Sequence, residues 1–166
     1  TDGLSDPNVE SAKDPEQEYN GYGVELFVEL TGKYGEAELR DSLPLRMLEQ
    51  VSMVASAHME FKGMIEQFGT LALGMYAGEL VPEQYRYEIG TAGLLLGTPS
   101  LSVPEFISLN REAVLLMSIK LLEPSVFLAA GAKHSGARYR RNLLQEYAAA
   151  GHHAISVWPG PENGSE

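Results

Sequence analysis

Cysteine is absent from all 166 residues, and that alone removes several chemistries. No disulfide can staple the fold, no thiolate can act as a nucleophile, and no zinc site can be built on sulfur. Basic side chains are scarce as well: 12 Lys and Arg stand against 23 Asp and Glu, for a net charge of -11. Phosphate-rich partners, nucleic acid and anionic membranes alike, are repelled by such an excess. Long apolar runs are missing too, with none near the roughly 20 residues that span a bilayer. The first residues lack the basic-then-apolar order of a secretory signal. These absences set the expectation of a cytoplasmic protein without membrane or nucleic-acid partners. The surplus of carboxylates favours instead a basic protein partner, whose approach it accelerates.

Catalytic signatures are equally thin. No H-E-x-x-H helix and no G-x-S-x-G elbow occur. The glycines of "GYGVEL" precede a strand pattern instead of following one, which is the wrong order for a dinucleotide loop. In "GTAGLLLGT", Gly97 is followed by Thr98 and Pro99, without the lysine a phosphate loop needs. The four histidines are His58, His134, His152 and His153. The last two sit side by side in a strand pattern, which sends them to opposite faces and away from a common metal. No cofactor is expected, and the expectation is a protein without enzymatic activity.

What is present describes one globular domain. A content of 44% hydrophobic and 21% charged residues is ordinary for a folded chain, and the length suits a single core. Residues 1–19 form an acidic irregular arm: Asp2, Asp6, Glu10, Asp14, Glu16 and Glu18 outweigh Lys13, with Pro7 and Pro15 interrupting. The domain is expected over 20–158, followed by a flexible tail over 159–166.

Within that domain, Val24, Leu26, Val28 and Leu30 share one parity while Glu25, Phe27 and Glu29 share the other. That period of two predicts a strand over about 23–30. Asn20, Gly21 and Gly23 bend the chain into it. Ser42 and Pro44 open a helix predicted over 43–67, with Leu48, Val51, Ala55, Met59 and Ile65 along its apolar side and Gly69 at its end. Strands follow at 70–76 and at 92–98, the second apolar enough to be buried on both faces. A hairpin of 104–109 with 113–122 is expected, then helices over 124–130 and 136–150, the latter stopped by Gly151. A last strand covers 152–158. This alternation predicts an α+β fold, a mixed β-sheet with flanking helices.

Charged side chains supply the candidate contacts. Glu25 and Glu29, four residues apart on one strand, lie about 13 Å from each other. That exceeds the roughly 5–9.5 Å of a paired glycosidase acid and base. They are read as an exposed acidic face that, with Asp2 and Asp6 of the arm, meets a basic partner. Lys133, Arg138, Arg140 and Arg141 gather a third of the basic residues into nine positions. They form either a solvated helix face or a contact for an acidic partner or for the arm. An exposed strand edge is a further route, since an extended peptide can add to it through main-chain hydrogen bonds.

The motifs "GLSDP", "NGYGVELFVEL", "GLLLGTPSL", "FISLNREAVLLMSIKLLEPSVFLAAG" and "GHHAISVW" are spread in order along most of the chain, from Gly3 to Trp158. In that order they resemble the suppressor of fused family, whose members carry a G-L-S-D segment and then a G-[FY]-G-x-E-L strand. The first two motifs, Gly3 to Asp6 and Gly21 to Leu26, carry most of the resemblance. It implies the fold of that family's amino-terminal domain and a binding protein, not a catalyst. Animal members grip an extended peptide between two domains, and this chain matches only the first of them. Stand-alone bacterial relatives of similar length are associated with polymorphic toxin systems. The resemblance therefore implies a bacterial immunity protein that binds and neutralises a cognate toxin. The alternative is a regulatory scaffold or peptide-binding module unrelated to toxins.

Overall fold

The computed structural model describes Leu4 and residues 22–58, 60–109, 112–151 and 153–158. The fold is α+β, with a mixed sheet and helices on both of its faces. In chain order the elements are β1 (Val24–Phe27), β2 (Glu29–Leu30), α1 (Glu36–Leu39), α2 (Leu43–Ala57), α3 (Phe61–Phe68) and β3 (Leu71–Tyr76). Two 3-10 turns then lead to β4 (Arg86–Glu88), β5 (Thr91–Leu96), β6 (Phe106–Leu109), β7 (Glu112–Leu122), α4 (Pro124–Ala130), α5 (Gly136–Ala150) and β8 (Ile155–Ser156). None of the described helices is long and apolar enough to cross a membrane.

The eleven-residue β7 organises the sheet. On one side β1 runs parallel to it, with Val24 opposite Leu115 and Phe27 opposite Ser118. Its other side is shared by two antiparallel strands. β5 covers residues 119–122 and β6 covers residues 112–115. β3 flanks β5, from Leu71 opposite Leu96 to Tyr76 opposite Thr91. Alternation along the strands then sorts the side chains. Ala92, Leu94 and Leu96 with Leu115, Met117, Ile119 and Leu121 face α2 and α3. Leu95 and Leu122 face α4 and α5. Both faces of β5 are buried, as its apolar composition predicts.

The helix expected over 43–67 is two helices. In α2 the buried stripe is Met47, Val51 and Ala55, four residues apart, and Ser42 caps the start by accepting from Leu45 N at 3.4 Å. His58 is extended, and Phe61 N donates to His58 O at 2.9 Å, so a new helix begins with Phe61 and Ile65 inward. In an unbroken helix Phe61 would sit about 240° round from Ala55, facing away from the sheet. Breaking the helix lets both apolar stripes reach one core.

The strand expected over 23–30 also divides. After Phe27 the chain leaves β7, and Glu29–Leu30 pairs in parallel with Ile155–Ser156 instead. The vacated edge of β7 is taken by side-chain chemistry: Leu121 N donates to Ser156 Oγ at 3.0 Å. For the same reason the strand expected over 152–158 is only two residues long. Side chains hold the rest of that segment, with Tyr85 Oη donating to Val157 O at 2.9 Å and Tyr34 Oη to Trp158 O at 3.0 Å. The arm over 1–19, apart from Leu4, and the tail over 159–166 lie outside the described residues. Leu4 is buried in the main core, and its carbonyl accepts from Tyr22 N at 2.7 Å.

Candidate functional site

β5 and β6 run in the same direction along the same side of β7, and between them the chain leaves the sheet. Gly97 N still donates to Ser118 O at 3.0 Å, and Ser118 Oγ donates to Thr98 O at 2.6 Å. The pairing resumes where Leu116 N donates to Glu105 O at 2.8 Å. The excursion is folded on itself by Ser100, whose Oγ accepts from both Ser102 N and Val103 N at 3.0 Å. Gly97 is required at the exit. Its φ of +80° is left-handed, and a Cβ there would lie 2.8 Å from Gly69 O at the end of α3.

This break leaves a groove of about 350 Å³. Phe27, Ile65, Val103, Phe106 and Leu116 supply apolar wall, and Thr98 also lines it. Among the described residues its ionisable lining groups are the carboxylates of Glu66 and Glu105, both on exposed residues. Thr98 is 3% exposed, and among the described residues its Oγ1 is the one buried side-chain nitrogen or oxygen with no hydrogen-bond partner. A buried hydroxyl left unbonded is destabilising unless something satisfies it.

Beside the groove lies an exposed strand. All four residues of β6 are exposed, three of them being Phe106, Ile107 and Leu109. Because Glu105 O points at β7, antiparallel alternation turns the main-chain N–H and C=O of Phe106 and Ser108 the other way. Among the described residues no strand pairs with that outer edge. The apolar run "FISL" is the sequence signal for this site. It is apolar on both parities, which fits neither a solvated strand nor a half-buried one.

The charged candidates are scattered. Asp2 and Asp6 lie outside the described residues. Glu25 is half-buried in β1, and Glu29 in β2 accepts a hydrogen bond from Ser102 Oγ, which ties the excursion to the strand. Glu25 and Glu29 thus belong to different sheets, not to one continuous strand face. Lys133, Arg138 and Arg141 are exposed, with no hydrogen bond or ion pair among the described residues. Arg140 differs: Nε donates to Thr70 O at 3.1 Å and Nη1 to Ala130 O at 2.7 Å, joining α5 to β3 and α4. Burial lowers its pKa. Arg140 is thus tied into the fold, while the other three stand exposed.

One lysine stands apart from all of these. Lys120, near the C-terminal end of β7, is 7% exposed, and its Nζ donates to Ile155 O and lies 4.6 Å from the centroid of the Tyr147 ring. Burial lowers its pKa to about 8, with Glu29 pulling it partly back up. Burial raises the Tyr147 hydroxyl to about 12. Enclosed in this way, Lys120 braces β7, α5 and the β8 segment. Among the described residues no three His, Asp or Glu side chains are placed to hold a metal ion. No protein-family profile, curated protein or solved structure matches this chain.

Proposed function

We propose that the chain is a non-enzymatic protein-binding domain that takes an extended segment of a partner onto the outer edge of β6. The single observation carrying this is that edge: outward main-chain groups at Phe106 and Ser108, flanked by exposed apolar side chains and a groove. Strand addition uses these elements, the main chain giving affinity and the adjoining pockets giving selectivity. An apolar, open strand edge is also a hazard that folded proteins ordinarily blunt, so its retention here favours a use.

The partner is a basic protein, because a net charge of -11 attracts one and speeds its docking. Together with the resemblance to stand-alone suppressor of fused relatives, this supports a bacterial immunity protein that binds and blocks a cognate toxin domain in the cytoplasm. Ser108→Pro tests the mode of binding. The lost N–H is an outward one, so proline is tolerated there as it is on edge strands generally. Binding is measured with peptides selected on the whole chain from a displayed library of random ten-residue sequences. The variant is expected to melt like the parent and bind at least tenfold more weakly; unchanged affinity refutes strand addition.

A further inference from the structure

Resting on the strand-addition reading, we infer that the groove at the break between β5 and β6 receives one long cationic side chain, an arginine, from the added partner segment. Its size is the first reason. At about 350 Å³ it is at the small end of ligand sites and has room for an extended side chain.

The lining chemistry is the second reason. Phe27, Ile65, Val103, Phe106 and Leu116 suit an aliphatic stem, and aromatic faces also attract a cation. Among the described residues the charged side chains on the lining are Glu66 and Glu105, and both are negative. Lys62 pairs with Glu66, Nζ to Oε1 at 3.9 Å, while its amine also donates to Ala113 O at 3.2 Å. Glu105 is the lining carboxylate with no ion pair among the described residues.

The third reason is Thr98. Thr98 lines the same groove and its Oγ1 is buried without a partner among the described residues; turning that side chain about χ1 toward the opening lets the hydroxyl oxygen accept an N–H. A guanidinium brings five donors in a rigid plane, enough to serve both a carboxylate and this hydroxyl. Lysine offers a compact, strongly hydrated head that loses more on entering such a wall.

A displayed library of random ten-residue peptides, selected on the whole chain, tests the inference. Selected peptides are expected to share an arginine at one position. Replacing it with norleucine should weaken binding at least tenfold, the scale of one desolvated charge contact. Glu66→Gln combined with Glu105→Gln should weaken the arginine peptide to the level of its norleucine form and leave the latter unaffected. Thr98→Val should weaken the arginine peptide several-fold without lowering the melting temperature, which a merely structural role would not produce. Two results overturn the inference while sparing strand addition: peptides without a basic residue that still lose binding to Ser108→Pro, or equal affinity of the arginine and norleucine forms. A library yielding no specific peptide overturns both.

Discussion

Lys120→Met removes a cation that the fold encloses between β7, α5 and the β8 segment, and its effect can be worked from the structure. In the unfolded chain the amine titrates at about 10.5, and in the fold at about 8. That difference is worth roughly 3 kcal/mol, the net penalty on the charged form once Glu29 has offset part of the cost of burial. The sign follows from proton counting. Between pH 8 and 10.5 the unfolded chain holds a proton that the folded chain has released, so stability rises with pH across that window. Below pH 8 both states carry the proton, and the full penalty applies. Methionine fills a similar volume without charge and forfeits one hydrogen bond to Ile155 O, about 1 kcal/mol. The variant should therefore be about 2 kcal/mol more stable at pH 7, with the advantage gone or reversed by pH 10. Urea unfolding of both proteins at pH 7, 9 and 10 measures this. Comparing variant with parent at each pH cancels the groups common to both, so the difference isolates the lysine. A variant less stable than the parent at pH 7, by an amount that does not change with pH, would show that the brace outweighs the burial, and the reasoning would fail.

The other perturbations are simpler. Val24→Asp and Leu26→Asp put an unpaired charge at positions 0% and 2% exposed, and each should abolish cooperative unfolding by circular dichroism. Gly97→Ala combines a φ of +80° with a Cβ 2.8 Å from Gly69 O, and should cost about 2–3 kcal/mol in urea unfolding. Glu29→Gln keeps an acceptor for Ser102 Oγ and should change stability by less than about 1 kcal/mol. Because Glu29 raises the Lys120 pKa, the same substitution should lower it further, measurable by NMR titration of the lysine side chain.

Elements whose pattern is local were legible in the sequence. The apolar run of β5, the hairpin of β6 with β7, α4 after its proline, and α5 up to Gly151 all stand where the sequence places them. The errors lie where a neighbour overrides a pattern. Alternation from Val24 to Leu30 continues through Val28, but the hydrogen-bonding partner changes there from β7 to β8. The break of the long helix was available in principle. From Ala55 to Phe61 the spacing is six residues, which is out of phase with a 3.6-residue turn. The spacing of Arg140 likewise does not show that its side chain reaches two carbonyls, since Thr70 is distant in sequence.

The candidate site was harder to find because it belongs to no single segment. Seen alone, "GLLLGTPSL" and "FISL" are a buried strand, a turn and a short exposed strand. Their relation is set by β7, whose eleven residues are longer than either neighbour on that side: β5 pairs with four of them and β6 with four others. The three between, Leu116 to Ser118, are bridged only by contacts at Gly97, Thr98 and Glu105. There the chain bulges away and the groove opens. A sequence predicts that a strand this long needs two neighbours, but not that they meet end to end with a gap between. The same arrangement accounts for the open edge. β3 pairs with β5 from Leu71 onward, and the chain before it is α3, which ends at Phe68. Beyond β3, the column beside β6 therefore has no strand among the described residues. One interruption thus creates both the pocket and the unpaired edge, and that shared origin is why a bound segment would engage the two together.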